Sequence, residues 1–302
     1  MSKIALIIGY GSIGEKHARV LSVLNKFTKI YVFSSKKKIP YPKINKLSES
    51  IKLNPDYIVI ATPSTKHYKY LDFFEKKFNN KKILIEKPLF NKYKKILLKK
   101  NKYFVGYNLR FHPVIKFIKQ KIKNKKIYFA NVNCSSFLPN WRKKTNYTKS
   151  VSAQKKLGGG VLLELSHELD YLNWFFGEKK ISYAFNRKIS NLQVNVDDIL
   201  CLNAISKKNT FINLTINFFS RILKREIFIE GKNISLHADL IKNKITLFQD
   251  GRKKILTWPK FGNRDTYKKE HIEIISGKYK NICSLNQGLN VLKEIESVRN
   301  LK

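Results

Sequence analysis

The chain has 302 residues and a formal net charge of +40, with 43% hydrophobic and 13% aromatic residues. This length and composition predict a globular protein of about two domains and exclude an intrinsically disordered chain. No apolar run approaches the roughly 20 residues of a membrane-spanning helix, so no membrane partner is expected. Lysines are spread along the whole chain without a nucleic-acid-binding motif, so nucleic acid is not predicted as a partner either.

The cysteines and the first residues indicate where the protein works. Cys134, Cys201 and Cys283 have neither metal-ligand nor disulfide spacing, so no metal site is predicted. The run KIALII near the start is too short and too quickly followed by glycine for a signal peptide. A cytoplasmic location is the expectation.

The first motif is GYGSIG, residues 9–14, which follows a short apolar strand and opens a helix. G-x-G-x-x-G in this context is typical of dinucleotide binding. The first glycine allows a tight turn, the second lets a pyrophosphate approach, and the third packs the helix on the strand. The helix amino end offers N–H groups and a partial positive charge to the phosphates. The predicted cofactor-binding residues here are Gly9, Gly11, Ser12, Ile13 and Gly14.

The second strand, KIYVF, ends where an NAD enzyme usually places a carboxylate for the ribose diol. Ser34, Ser35 and Lys36 stand there instead. A carboxylate would repel a 2′-phosphate, whereas hydroxyl and ammonium groups can donate to it. The sequence therefore favours NADP, with NAD as a possible cofactor. The alternative is that these lysines are only a solvated surface run.

A third strand runs from about residue 56 and ends at Thr62 and Pro63, which are predicted to cross the cofactor. His67 follows one turn into the next helix and is also placed at the cofactor. Strands and helices alternate through this part of the chain, which predicts a parallel sheet with helices on both faces.

The stretch ILIEKPLF, residues 83–90, reads as a buried strand that stops at a charged tip. Ligands of open α/β sheets bind beyond the carboxyl ends of the strands, so Glu86 and Lys87 are predicted to reach the site. A helix is predicted over KYKKILLKK, residues 92–100. The next strand, within YFVGYNLRFHP, ends in polar residues, of which Asn108 and Arg110 are predicted site residues.

The pattern changes near residue 122. A strand, KIYFANVNCSSF, leads to the polar aromatic loop LPNWRKKTNY, where Trp141 could stack on a sugar ring and Arg142 could hold an anion. A surface pair with neither role is the alternative. Seven later runs alternate with period two and predict an open, mostly antiparallel sheet. Its free face would suit pairing with another copy, and two helices, at about 265–276 and 284–299, are predicted to close the chain.

Several of these stretches together resemble the glucose–fructose oxidoreductase, inositol dehydrogenase and MocA-type dehydrogenases. The matching pieces occur in the family's order and span most of the chain: GYGSIG, ATPSTKH, the Glu86-Lys87-Pro88 tripeptide, VGYNLRFHP and GGGVLLELSHELDYLNWFFG. The wording of GYNLRFHP and LSHELDYL is most similar to members associated with surface-sugar biosynthesis.

The resemblance implies roles for individual residues. Lys87 resembles the lysine that hydrogen-bonds the reacting hydroxyl near the nicotinamide, and His167 matches the family's histidine after the glycine run. A histidine that serves only as a polar core group is the alternative for His167. The family usually has an aspartate four residues before this histidine, whereas this chain has Glu164 three residues before it. Glu164 is predicted to be catalytic, although its spacing departs from the family's pattern. Asp170 could orient the His167 ring or make a purely structural hydrogen bond.

The sequence thus predicts a Rossmann NAD(P)-binding domain over 1–121, followed by an α+β substrate-binding and oligomerisation domain over 122–302. The predicted function is NADP(H)-dependent hydride transfer to or from a sugar, sugar derivative or nucleotide-sugar, by a homo-oligomer. Two alternatives are a glycosidase that retains NAD and a non-catalytic dinucleotide-binding sensor. The predicted catalytic residues are Lys87, His167 and Glu164; the predicted substrate-binding residues are Lys87, Asn108, Arg110, Trp141, Arg142, His167 and Asp170.

Overall fold

The computed structural model describes residues 3–142 and 146–301, which form two compact units. The first comprises residues up to Phe111 together with Asn263–Leu289. The second comprises His112–Gly262 together with the residues from Asn290 onward. The division therefore falls earlier than the predicted boundary at residue 121, and part of the chain's end returns to the first unit.

The strands are numbered in chain order. They are β1 (Ile4–Ile8), β2 (Lys29–Phe33), β3 (Lys43–Ile44), β4 (Tyr57–Ile60), β5 (Lys82–Glu86), β6 (Lys102–Gly106), β7 (Ile127–Phe137), β8 (Lys179–Arg187), β9 (Ile199–Ser206), β10 (Phe211–Asn217), β11 (Phe219–Gly231), β12 (Ile234–Asp239), β13 (Lys244–Gln249), β14 (Arg252–Thr257) and β15 (Cys283–Ser284).

The α-helices are numbered in the same way. They are α1 (Ser12–Leu24), α2 (Glu49–Leu53), α3 (Ser64–Lys77), α4 (Pro113–Lys121), α5 (Val161–Glu164), α6 (His167–Phe176), α7 (Asn263–Ser276) and α8 (Leu285–Asn300). Among the described residues, no helix combines the length and the apolar composition needed to cross a membrane.

The described strands of the first unit form one sheet in the order β15-β6-β5-β4-β1-β2-β3, and every neighbouring pair is parallel except β15 with β6. The central strands are continuous apolar runs, and Ile7, Val59 and Leu84 have no exposed surface. Such runs suit a parallel sheet that is covered on both faces. The predicted Rossmann fold is confirmed.

The helix predicted over residues 92–100 is wrong, because residues 93–99 form neither helix nor strand. The backbone amides of Lys99 and Lys100 donate instead to Glu75 Oε1 on α3, over 2.7 and 3.1 Å. A nine-residue helix is marginal by itself, and lysines three and four positions apart repel one another. Leu97 is 77% exposed, so packing does not stabilise a helix here either.

The described strands of the second unit form one sheet in the order β14-β13-β12-β11-β7-β10-β9-β8. Only the pairing of β7 with β10 is parallel among these strands. All seven runs predicted as strands after the His167 helix are present, as β8 to β14, and the open, mostly antiparallel sheet is confirmed.

One face of this sheet is buried and the other is exposed. Leu202 and Leu214, on the buried face, are fully enclosed, and α5 contacts the strands β9 and β10 that carry them. On the opposite face Phe211, Phe228 and Phe248 are exposed. The alternation of apolar inward and mixed outward residues is the period-two pattern that the sequence showed.

Candidate active site

Five loops of the first unit follow the carboxyl ends of neighbouring parallel strands. The strand register pairs Ile8 with Phe33 and with Ile60, and Ile60 with Ile85. Glu86 pairs with Gly106 in the same way. The residues after β1, β2, β4, β5 and β6 therefore meet at one edge of the sheet, where ligands of this architecture bind.

The fingerprint loop has the shape that a dinucleotide requires. Gly9 has a φ of +95°, and a Cβ on Gly14 would lie 2.0 Å from the Gly9 carbonyl oxygen. A Cβ on Gly11, in contrast, would meet no heavy atom within 4 Å. The turn is therefore closed where it packs on the sheet and open on its other side. The first amides of α1 have no partner within the helix, so they suit a pyrophosphate.

The end of β2 lies against the fingerprint loop, since the Gly9 amide donates to the Phe33 carbonyl over 2.8 Å. Ser34 Oγ accepts from the Lys36 amide over 3.2 Å. The Lys36 ammonium lies 5.5 Å from the centre of the Tyr10 ring. A hydroxyl and a cation thus stand beside the loop that would hold the pyrophosphate.

Two hydroxyls at the end of β4 support the cofactor assignment. Thr62 Oγ1 and Ser64 Oγ are buried, and neither has a hydrogen-bond partner among the described residues. Buried polar atoms normally have a partner, so an orphaned pair at the ligand-binding edge suits contact with a bound molecule. Thr62 and Pro63, which were predicted to cross the cofactor, follow β4 at this edge, and their contact with a cofactor stays a prediction.

His67 lies one turn into α3, as predicted, and its contact with the cofactor stays a prediction. It is buried on α3, and its ring nitrogens lie 2.7 Å from the Thr62 carbonyl oxygen and 3.0 Å from that of Leu89. Burial lowers the pKa of His67, although the two carbonyls oppose this shift. The ring therefore braces the loop after β4 against the loop after β5. This arrangement favours a positioning role for His67 over direct contact with the cofactor.

Glu86 ends β5 and Lys87 follows it directly, as the sequence predicted. The Lys87–Pro88 peptide bond is cis, and the Lys87 amide donates to Glu86 Oε2 over 3.1 Å. Lys87 itself is half-buried. Burial alone would raise the pKa of Glu86, but the hydrogen bond and charge of His17 and the charge of Lys87 hold it below its usual value. Glu86 is therefore an anion beside Lys87.

Asn108 and Arg110 lie in the 3-10 turn that follows β6, Asn108–Phe111. The Asn108 amide group donates to Thr266 Oγ1 on α7 over 2.9 Å. Arg110 is almost fully buried, and its guanidinium donates to Gln287 Oε1 over 2.8 Å. This burial favours a structural role for Arg110 over the predicted contact with substrate.

In the second unit a glycine run leads into the histidine helix. Gly160 has a φ of +113°, and a Cβ on it would lie 2.3 Å from Asp197 Oδ1. Asp197 in turn accepts the Leu162 amide over 2.9 Å, which anchors the start of α5. Only glycine fits at position 160, because any side chain would collide with this carboxylate.

His167 is the first residue of α6 and is half-buried, as is Glu164 at the end of α5. Asp170 is buried one turn after His167 on the same helix. The neighbouring Glu168 forms a buried ion pair with Arg225, whose Nε donates to Glu168 Oε1 over 2.8 Å. This pair fixes α6 on β11, so His167 stands on a rigid element.

Trp141 and Arg142 end the short turn Leu138–Arg142 that follows β7. The Trp141 indole N–H donates to Ser136 Oγ over 2.9 Å, and its ring meets Phe218 edge-on at 5.3 Å. Arg142 is exposed. Residues 143–145 of the predicted polar aromatic loop lie outside the described residues. The ring of Trp141 is thus fixed on its inner side and partly exposed.

Comparison with models of protein families identifies both parts of the chain. Residues 3–98 match GFO_IDH_MocA, an oxidoreductase family with an NAD-binding Rossmann fold, and residues 119–300 match the C-terminal alpha/beta domain of the same family. The chain belongs to the Gfo/Idh/MocA oxidoreductase family. It is therefore an NAD(P)-dependent oxidoreductase, as the sequence resemblance implied.

Solved structures show the same fold at low sequence identity. UDP-N-acetylglucosamine 3-dehydrogenase GnnA from Acidithiobacillus ferrooxidans is 15% identical, with a TM-score of 0.78 over 99% of this chain and 97% of that chain. Levoglucosan dehydrogenase in complex with NADH is 17% identical, with a TM-score of 0.83 over 99% of this chain and 96% of that chain. The WlbA dehydrogenase from Bordetella pertussis, in complex with NADH and UDP-GlcNAcA, is 16% identical, with a TM-score of 0.77 over 99% and 97%. Among curated proteins, sequence comparison found no match to the chain.

In this Gfo/Idh/MocA chain, sequence reasoning missed the side chains that surround Glu86. His17 Nε2 on α1 donates to Glu86 Oε1 over 2.8 Å, and His271 of α7 is hydrogen-bonded to His17. A signal for His17 was present, because Gly14, His17, Ala18 and Leu21 form the buried stripe of α1. A histidine within an apolar stripe requires a buried polar partner. For His271 no such signal existed, since nothing in the sequence places α7 against α1.

Proposed function

We propose that this chain transfers a hydride between a nicotinamide cofactor and a carbinol carbon of a sugar, sugar derivative or nucleotide-sugar. The observation that carries the proposal is Lys87, placed directly after β5 at the ligand-binding edge and beside the anionic Glu86. The names of two similar structures support the substrate class, since GnnA is a UDP-N-acetylglucosamine dehydrogenase and WlbA holds UDP-GlcNAcA.

The chemistry divides between the cofactor and the protein. When bound, the nicotinamide accepts or supplies the hydride at its C4 atom. The Lys87 ammonium stabilises negative charge that develops on the substrate oxygen as the proton leaves or arrives. His167 serves as the general acid or base, because an imidazole group can both accept and donate a proton near neutral pH. Lys87 directly follows β5 and His167 begins α6, so each group is anchored on a regular element of its own unit.

We further propose NADP(H) as the preferred cofactor. Ser34 and Lys36 stand beside the fingerprint loop where a diol-binding carboxylate would favour NAD. Each hydrogen bond to a charged group contributes about 1.5–3 kcal/mol, so one good contact with a 2′-phosphate favours NADPH by roughly tenfold.

Titration of the purified protein with NADPH and NADH at low and moderate salt tests this preference. We expect NADPH to bind at least about tenfold more tightly at low salt and the difference to shrink as salt screens the exposed lysines. Ser34→Asp should favour NADH, because the new carboxylate repels the 2′-phosphate and accepts the ribose hydroxyls. Ser276→Asp makes the same charge change at the end of α7 and should leave the preference unaltered. Equal affinities in the wild-type protein would contradict the NADP assignment.

The exposed face of the second unit's sheet is proposed to bind a second copy of this chain, giving a dimer or a tetramer. Phe129 and Phe211 stack at 6.1 Å across β7 and β10, and Phe228 stacks on His237 at 4.1 Å across β11 and β12. Phe211 and Phe248 are 41% and 47% exposed, and a broad exposed apolar surface is typical of an interface.

Light scattering during size-exclusion chromatography tests this assembly. The wild-type chain should elute with the mass of an oligomer, and Phe228→Glu should shift it towards the monomer. Val23→Glu introduces the same charge at an exposed residue of α1 and should leave the mass unchanged. A monomeric wild-type protein at micromolar concentration would contradict the proposal.

Among the described residues, Cys134, Cys201 and Cys283 form no disulfide, which suits work in a reducing compartment such as the cytoplasm.

A further inference from the structure

A buried chain of four hydrogen-bonded side chains crosses the first unit. The Tyr57 hydroxyl lies 2.8 Å from His271 Nδ1, His271 Nε2 lies 2.9 Å from His17 Nδ1, and His17 Nε2 lies 2.8 Å from Glu86 Oε1. Exposure is 0% for both histidines, 1% for Tyr57 and 7% for Glu86. All four ring nitrogens of His17 and His271 have a hydrogen-bond partner, so the arrangement satisfies polar groups that are costly to bury.

The four side chains come from four separate elements and span the sheet lengthwise. Tyr57 begins β4, and its register partner on β5 is Lys82. Glu86 lies four residues further along β5, which corresponds to about 13 Å of strand. His17 and His271 bridge this length from α1 and α7, which contact each other. This row of hydrogen-bonded side chains therefore ends at the carboxyl edge of the sheet, next to Lys87.

The proton positions in this row of hydrogen-bonded side chains follow from the states of Glu86 and His271. Glu86 is ionised and can only accept, so His17 Nε2 carries a proton and donates to Oε1. His271 is neutral, because burial lowers its pKa well below the ordinary value and the charge of His17 adds to the effect. It has one donor and one acceptor nitrogen and joins His17 to Tyr57 whichever protonation state His17 adopts. In both states Glu86 receives a hydrogen bond from His17.

We propose that His17 and His271 are positioning residues that hold Glu86 as an oriented anion beside Lys87. The Glu86 carboxylate is used at both oxygens, with Oε1 held by His17 and Oε2 accepting the Lys87 amide over 3.1 Å. Its direction is therefore fixed. Without the His17 donor, desolvation favours the neutral carboxylic acid, and Lys87 loses its neighbouring charge. The importance of this effect for turnover rests on the proposed function.

Other charged and titratable groups surround Glu86, and none of them replaces His17 at Oε1. From α7 come His271, Glu270 and Tyr267, from β4 comes Tyr57, and from α3 comes His67. Glu270 is fully buried. The hydrogen bond and charge of His17 are the largest influences that favour ionised Glu86.

Carboxyl ¹³C NMR of Glu86, with the signal assigned by its loss in Glu86→Gln, measures the ionisation of this group across pH without substrate. The hydrogen bond from His17 favours the ionised carboxylate. In His17→Phe, which removes the donor, the pH at which Glu86 takes up a proton should therefore rise. His17→Gln, which keeps an amide donor, should restore most of the wild-type midpoint.

A matched control separates this effect from general disruption. Glu75 braces the Lys99 and Lys100 amides in the same unit, and Glu75→Gln should leave the Glu86 midpoint unchanged. An unchanged Glu86 midpoint in His17→Phe overturns the proposal.

A second measurement covers the case in which His17→Phe does not fold. The carboxyl ¹³C signal of Glu86 in the wild-type protein should show an ionised group down to pH 5. Protonation of Glu86 above that pH overturns the proposal. Because neither measurement uses turnover, a Glu86 whose ionisation depends on His17, in a protein without dehydrogenase activity, would refute the proposed function alone. Normal turnover with a Glu86 midpoint that does not depend on His17 would refute only the positioning role.

Discussion

Replacing Lys87 with methionine is expected to lower turnover by roughly 10² or more, while folding and cofactor affinity persist. Methionine keeps most of the side-chain stem but removes the charge and the hydrogen-bond donors. Lys87 is half-buried at the end of β5, and its backbone contact with Glu86 does not depend on the side chain. The measurement is kcat with the true substrate, together with cofactor affinity by fluorescence titration.

A matched control for this substitution is Lys66→Met, which makes the same chemical change at an exposed residue of α3. Its kcat should equal that of the wild-type enzyme. If the Lys87 variant also turned over normally, Lys87 would be a surface lysine that happens to follow a strand, and the catalytic assignment would be wrong.

The second large effect is expected for His167→Asn, which should lower kcat by about 10²–10⁴, the usual contribution of a positioned acid or base. Asparagine keeps a polar side chain but cannot exchange a proton near neutral pH. His167 lies at the start of α6, in a different unit from the fingerprint loop, so we expect cofactor affinity to stay almost unchanged.

Thermal unfolding and cofactor titration accompany the kinetic measurement of this variant. A loss of folding, or of cofactor binding, would show that His167 is a polar core group. A drop in kcat without either change supports its role at the substrate.

The nucleotide-binding edge was predictable because its signals are local. Gly9 and Gly14 meet at a distance that excludes any side chain, and this requirement appears in the sequence as two fixed glycines. The strands before Thr62 and Lys87 are apolar runs in which consecutive residues are buried, as expected for parallel strands covered on both faces. Parallel strands bring their carboxyl ends together, so residues far apart in sequence could be assigned to one edge.

What the sequence concealed depends on long-range packing. His271 and Tyr57 are 214 positions apart, yet they share a buried hydrogen bond. The closing helix α7 has little amphipathic pattern of its own, so nothing indicated that it returns to the first unit. Arg110 and His67 were predicted from their position after a strand or in a motif, and only the structure shows which side chain or carbonyl each of them contacts.

The most direct test of the central claim is a fluorescence assay of NADPH oxidation by the purified protein, screened against keto-sugars and nucleotide-sugars. An oxidoreductase of the proposed kind should consume one NADPH for each substrate molecule it reduces, and Lys87→Met should abolish most of the signal. A protein that converts its sugar substrate while the cofactor shows no net change in redox state would contradict the account.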